Sequence, residues 1–202
     1  MAAAAPRTLA VAAVPFIIGA AALTARSLHR PPALPVQGTV PAFLLIDHEG
    51  QAISAESLRG TVWVASFIFT RCAGQCPMMS RQMARLTQMF HASPDARWVS
   101  FTVDPEWDTP DVLARYAASQ GGDARWRFVT GDRESLERLC REGFQLSLAD
   151  GPGTAEEPIT HSVRLALVDR AGWIRGYYDA TDAGQMARFA RDLRRLLAEH
   201  SR

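Results

Sequence analysis

The chain has 202 residues, with 22 basic against 21 acidic side chains, a formal net charge of +1 and 48% apolar residues. That length suffices for one full-sized domain plus a short extra segment, and the apolar fraction suffices for a buried core. The balanced charge offers no basic surplus for nucleic acid, and three cysteines are too few for a disulfide scaffold, so both classes are set aside.

The first segment is the uncharged, mostly apolar run from Thr8 to Ala25, between Arg7 and Arg26. As an α-helix it would span about 27 Å, close to the ~30 Å of a hydrocarbon core. Residues 1–26 are therefore expected to form an N-terminal membrane anchor. A signal peptide cleaved near Ala20 and Ala22 is the alternative. Arg7 precedes the run while Arg26 and Arg30 follow it, so flanking charge does not set its orientation. A single N-terminal span ahead of a large domain usually sends that domain outward. The expected location is a bacterial-type inner membrane with one N-terminal span and the soluble domain in the periplasm or at the outer face.

Residues 27–40 contain three prolines and no amphipathic period, which predicts a linker, with the folded domain at 41–202. Residues 42–46 read as a strand, followed by the turn Asp47–Gly50. A second turn at Leu58–Gly60 precedes Thr61–Thr70, whose near-continuous apolar character suits a central strand covered on both faces. Pro77–Phe90 reads as a helix with Met79, Met83, Leu86 and Phe90 on one apolar stripe. Trp98–Val103 is a buried strand. Thr109 and Pro110 supply the N-cap and first residue of a helix that runs to Ser119 and stops at Gly121-Gly122. A short strand at Arg127–Thr130 leads to a helix that begins at Asp132, carries Cys140 and ends at Gly143. Val163–Val168 and Trp173–Tyr178 form a hairpin around Asp169–Gly172, and Gln185–Glu199 is a closing amphipathic helix. The order predicts an α/β domain, a mixed sheet with a parallel centre and helices on both faces.

Cys72 and Cys76 lie between the strongest strand and the helix that follows it. Ligands of open α/β sheets gather beyond the carboxyl ends of strands, and a helix N-terminus there favours thiolates. Only Ala73-Gly74-Gln75 separates the two cysteines, so the sulfurs can share a metal ion or close a disulfide. Thiolates suit Cu(I), zinc or iron–sulfur chemistry. The competing reading is a pair of small buried apolar residues. His161, 85 residues beyond Cys76 at the start of a strand, is the candidate third ligand, although a lone histidine there is more often a surface or hydrogen-bonded residue. The residues by themselves leave redox and metal chemistry both open.

The stretch Val62–Met78 (VWVASFIFTRCAGQCPM) resembles the signature of the Sco/SenC family of copper chaperones. Three further segments agree in order and distance. Val103–Pro110 (VDPEWDTP) is similar to the family's D-P-E-x-D-T-P motif. Thr160-His161-Ser162 with Leu167-Val168-Asp169 is similar to its histidine strand, and Gly172–Tyr178 to the strand after it. The resemblance covers residues 41–200. It implies a thioredoxin-like fold with an N-terminal anchor, binding one copper ion, Cu(I) and/or Cu(II), through Cys72, Cys76 and His161. It also implies delivery of that copper to the CuA-type centre of a cytochrome c oxidase subunit. Ala73 stands where many relatives have proline, and Ser66 where close bacterial relatives often have aspartate. Neither position is a ligand.

Met78, Met79, Met83 and Met89 are expected to pack the helix on the sheet, soft thioether contact to a metal being the other reading. Asp104, Glu106 and Asp108 are expected to face solvent on a turn that begins a helix. Cys140 is expected to be a buried structural thiol rather than a resolving cysteine. His29, His48, His91 and His200 carry no supporting pattern. The alternative function is a membrane-anchored thiol–disulfide oxidoreductase in which Cys72 and Cys76 reduce the cysteines of a metal acceptor. A peroxidase-like enzyme on the same fold is a third reading.

Overall fold

The computed structural model describes residues 33–72, 74, 76–121, 123–146 and 163–199. The expected anchor and His161 lie outside the described residues, and no described helix is long and apolar enough to cross a membrane.

Among the described residues, eight strands form one sheet: β1 (Gly38–Thr39), β2 (Leu44–Asp47), β3 (Ala52–Ser54), β4 (Val62–Ile68), β5 (Ala96–Thr102), β6 (Trp126–Thr130), β7 (Arg164–Val168) and β8 (Trp173–Asp179). Their spatial order is β1-β8-β7-β4-β5-β6-β2-β3. β4, β5 and β6 run parallel, and every other pairing is antiparallel. All seven residues of β4 are buried, as its continuous apolar run requires of a strand covered on both faces. The helices are α1 (Cys76–Met89), α2 (Pro110–Ser119), α3 (Arg133–Arg138), which passes into a π-turn at Leu139–Gly143, and α4 (Ala183–Ala198). This is the expected mixed, thioredoxin-like α/β architecture.

Sheet register assigns the helices to faces. Val64, Trp98 and Trp126 are lateral neighbours, and on their face Phe90 at the end of α1 packs on Trp98 while Tyr116 of α2 packs on Phe128. Continuing across the register, Leu167 and Leu165 lead to Tyr178, which meets Phe189 of α4. α1, α2 and α4 therefore share one face. Trp63, Phe67 and Phe101 alternate to the other face, where Phe144 after the π-turn packs among them. Thr109 caps α2 with Pro110 at its first position, as expected, and Gly121, at φ +80°, adopts the left-handed conformation that ends the helix cheaply only for glycine.

Two expectations are corrected. The folded domain starts before residue 41: Gln37 N–H donates to Ile174 O at 2.8 Å, Val40 N–H to Gly172 O at 3.0 Å, and β1 pairs with β8, so residues 34–40 are an edge of the sheet. The helix expected from Asp132 to Gly143 is α-helical only to Arg138 before the hydrogen bonding widens into the π-turn.

Candidate metal and thiol site

Both cysteines lie where the strand-to-helix order puts them. Beyond β4 the chain turns so that Cys72 N–H donates to Phe69 O at 3.3 Å, and Cys76 is the first residue of α1. Cys72 is 7% exposed and Cys76 1%, and neither forms a disulfide. The paired sulfurs thus sit at the edge of the core, at a helix N-terminus and beyond the carboxyl end of the central strand. His161 lies outside the described residues, among which no three His, Cys, Asp or Glu side chains form a metal-ligand group. β7 begins at Arg164 and runs antiparallel to β4, so it joins the sheet on the side where β4 leaves it.

A second loop holds the first in place. Asp108 is fully buried, contrary to the expectation that it faces solvent. Its carboxylate accepts the Thr70 N–H at 3.1 Å, the Thr70 hydroxyl at 2.5 Å and the Thr102 hydroxyl at 2.5 Å. Burial pushes the Asp108 carboxyl above its ordinary range, the hydrogen bonds from Thr102 and Thr70 oppose that, and the neighbouring Asp104 charge adds to it. Asp104 is also buried, at 5% exposed. It pairs with Arg71 at 2.5 Å, and the Arg71 guanidinium in turn lies 4.5 Å from the Trp107 ring centroid. Glu106 alone of the three acids is exposed, and it pairs with Arg133 at 3.0 Å. The β4–α1 and β5–α2 loops are thereby tied together at Thr70 and Arg71, the two residues that lead into Cys72.

One turn into α1, the buried Ser80 hydroxyl lies 2.8 Å from the Tyr116 hydroxyl of α2. Burial raises the Tyr116 phenol, Ser80 opposes the shift, and negative charge at Cys76, Cys72 and Asp108 adds to the rise, so this phenol belongs to the electrostatic surroundings of the thiols. Thr70, Thr102, Ser80, Tyr116 and Trp107 were not singled out from the sequence. The available signals were slight: Ser80 lies four residues after Cys76, and Tyr116 lies three and one residues from the buried Leu113 and Ala117.

The remaining candidates fall away from the site. Met79 and Met83 are buried as expected, but Met78 and Met89 are 37% and 54% exposed and do not pack the helix on the sheet. Cys140 is fully buried in the layer on the opposite face of the sheet, its thiol facing Leu146 O at 3.8 Å and pushed up to about 12 by burial. His48 Nδ1 accepts the Phe128 N–H, and His91 Nδ1 lies 2.9 Å from Gln88 O, both local structural contacts.

Comparison with known proteins bears on the family and the fold. The family model described as SCO1/SenC matches residues 33–198. The SCO1 protein homolog of Bacillus subtilis (strain 168) is 33% identical over 151 residues, covering 73% of this chain and 77% of the relative. A Stutzerimonas stutzeri protein provisionally named as copper-binding is 34% identical over 152 residues, covering 73% and 72%. Among solved structures, BsSco, described as a Sco-family cytochrome c oxidase assembly protein with a disulfide switch, is 29% identical with a TM-score of 0.73, covering 83% of this chain and 99% of that one.

Proposed function

Since the chain belongs to the SCO1/SenC family, we propose that it is a copper-binding metallochaperone that takes up one copper ion through Cys72 and Cys76, with His161 as third ligand, and passes it to the CuA-type centre of a respiratory oxidase. The observation that carries this reading is the pair of buried cysteines outside any disulfide at the mouth of α1, held by a loop that is itself anchored on a buried acid. Two thiolates are a soft donor set suited to Cu(I), and an added imidazole extends the set toward Cu(II). The provisional name of the Stutzerimonas stutzeri relative and the oxidase-assembly description of BsSco support copper and oxidase assembly in turn. For His161 the support is topological: β7 starts three residues after it and joins the sheet beside the carboxyl end of β4.

In transfer, acceptor thiolates displace Cys72 and Cys76 one at a time, so copper is never released free. Metal coordination requires both thiols reduced, and a Cys72–Cys76 disulfide would switch binding off. The disulfide switch described for BsSco favours a thiol–disulfide exchange role as the second reading. The apolar run at residues 8–25 supports anchoring in a bacterial-type inner membrane with the domain on the outer side. Metal analysis of the reduced protein offered Cu(I), Cu(II) and Zn(II) tests the reading. One copper per chain, lost on substitution of either cysteine, is expected, and a chain that binds zinc but no copper refutes it.

A further inference from the structure

The two stripes of α1 differ in kind. Met79, Met83 and Leu86 are at most 4% exposed, whereas Met78, Arg81, Arg85, Gln88 and Met89 recur at helical spacing on the outside. α1 contains no acidic residue, and its exposed stripe begins two residues after Cys76, at the rim of the thiols. At its other end the stripe meets α4, where Arg194 Nη2 donates to Met89 Sδ at 3.5 Å and the guanidinium lies 5.3 Å from the Phe90 ring. α4 carries Arg188, Arg191, Arg194 and Arg195; Arg188 pairs with Asp192, which also accepts the Tyr178 hydroxyl at 2.8 Å, and Arg195 pairs with the C-cap Glu199 at 3.5 Å.

Six arginines against Asp192 and the C-cap Glu199 give α1 and α4 together a charge of +4, on one face of a chain whose total is +1. Folding does not call for this segregation, because Arg81 and Arg85 lie four apart, where like charges destabilise a helix. Elsewhere acids answer arginines at this spacing, Arg133 with Glu137 and Arg138 with Glu134 on α3, and Arg188 with Asp192 and Arg195 with Glu199 on α4, whereas α1 holds no acid to answer Arg81 and Arg85.

We infer that the Arg81–Arg85 stripe, continued at the end of α1 by Arg194 of α4, is the docking surface for an acidic protein segment carrying the thiols that accept the metal. Only the identity of what is exchanged rests on the proposed copper transfer; the surface is read from charge and position. A protein is favoured over a lipid headgroup layer because the stripe runs into the thiol rim. There the exposed Met78 on one side and the exposed Trp107 stacked on Arg71 on the other provide apolar contacts beside the charge. A basic flank around an aromatic and thioether centre suits a protein interface, with the charges steering approach and orientation.

The test uses the full chain in detergent, reduced and metal-free, titrated with two fluorescein-labelled Cys-x-x-x-Cys peptides, one flanked by Asp and Glu and the other by Asn and Gln. Tighter binding of the acidic peptide, on the order of tenfold at low salt and fading as salt is added, is expected. The R81E/R85E double variant should bind both peptides equally while keeping the parent's copper stoichiometry. Equal affinities in the parent, or an undiminished acidic preference in R81E/R85E, overturns the proposal. Hydrogen exchange of α1 is followed in parallel with the full chain in phosphatidylcholine nanodiscs with and without phosphatidylglycerol. Protection by phosphatidylglycerol that R81E/R85E abolishes, with no preference for the acidic peptide, assigns the face to a membrane and also overturns it. A chain that prefers the acidic peptide but binds no copper leaves the docking surface standing and refutes the copper reading instead.

Discussion

The Asp108 carboxylate accepts the Thr70 backbone N–H at 3.1 Å and the Thr70 hydroxyl at 2.5 Å, joining loops whose residues lie 38 positions apart. Thr70 stands two residues before Cys72, so the path into the thiol pair is set by an acid from the following loop. A carboxylate that receives three donors in a buried site is a costly group to remove, because each donor is then left without its acceptor. Asp108→Ala is expected to lower unfolding free energy by about 1.5–3 kcal/mol in urea titrations. The same variant should weaken Cu(I) binding in ligand competition while keeping a stoichiometry of one. Asp108→Asn, which retains one carbonyl acceptor, should fall between parent and alanine variant.

The same residue has a pH signature. Burial raises its carboxyl in the folded state above the unfolded value of about 3.9. The folded chain then holds this proton more tightly than the unfolded chain, so the Asp108 contribution favours folding at acid pH and is lost as pH rises through the folded value. Urea midpoints of the parent and Asp108→Asn, compared between about pH 3 and about pH 7, should show the parent losing ground to the variant as pH rises through that window, then a constant gap. A gap that moves the other way would show that the hydrogen bonds from Thr70 and Thr102 outweigh burial.

The three proposed ligands divide by chemistry. Cys72→Ser or Cys76→Ser should abolish both tight copper binding and disulfide formation. His161→Ala should cut copper affinity by on the order of a hundredfold and leave exchange with glutathione disulfide largely intact, since exchange needs only an attacking thiolate and a leaving thiol. Copper competition and glutathione exchange measured on the same preparations separate the two. Parental copper affinity in His161→Ala would exclude the three-ligand site.

Cys140 should behave unlike the other two thiols. With its thiol pushed up to about 12 by burial, it is expected to resist an aromatic disulfide reagent near neutral pH until guanidinium unfolds the chain. Cys140→Ala should keep the parent's copper stoichiometry, as follows from its place in the layer across the sheet. Thiol counts before and after unfolding check this directly.

The two methionine stripes of α1 predict opposite outcomes in thermal or denaturant unfolding. Met83→Ala, fully buried in the parent, should cost about 2–5 kcal/mol, whereas Met78→Ala at the exposed rim should stay within about 0.5 kcal/mol.

Local pattern determined much of this protein. The run at Val62–Ile68 reads as a covered strand because its apolar residues do not alternate, and α1 reads as a helix because Met79, Met83, Leu86 and Phe90 recur at its period. The cysteine pair was legible for the same reason, falling between those two elements. His161 was carried by family resemblance, not by its surroundings in the sequence. β1 and β3 escaped because two or three residues are too few to display a period. Asp104 and Asp108 read as solvent-facing because their neighbours in sequence are turn and cap residues, while Thr70 and Arg71, which meet them, arrive from the loop after β4, more than thirty positions away. The arginine surface likewise exists only once sheet register brings α1 and α4 to one face. Periodicity records which side of an element is apolar, but which partners meet a polar side chain is decided by strand order and register, and those are properties of the assembled sheet.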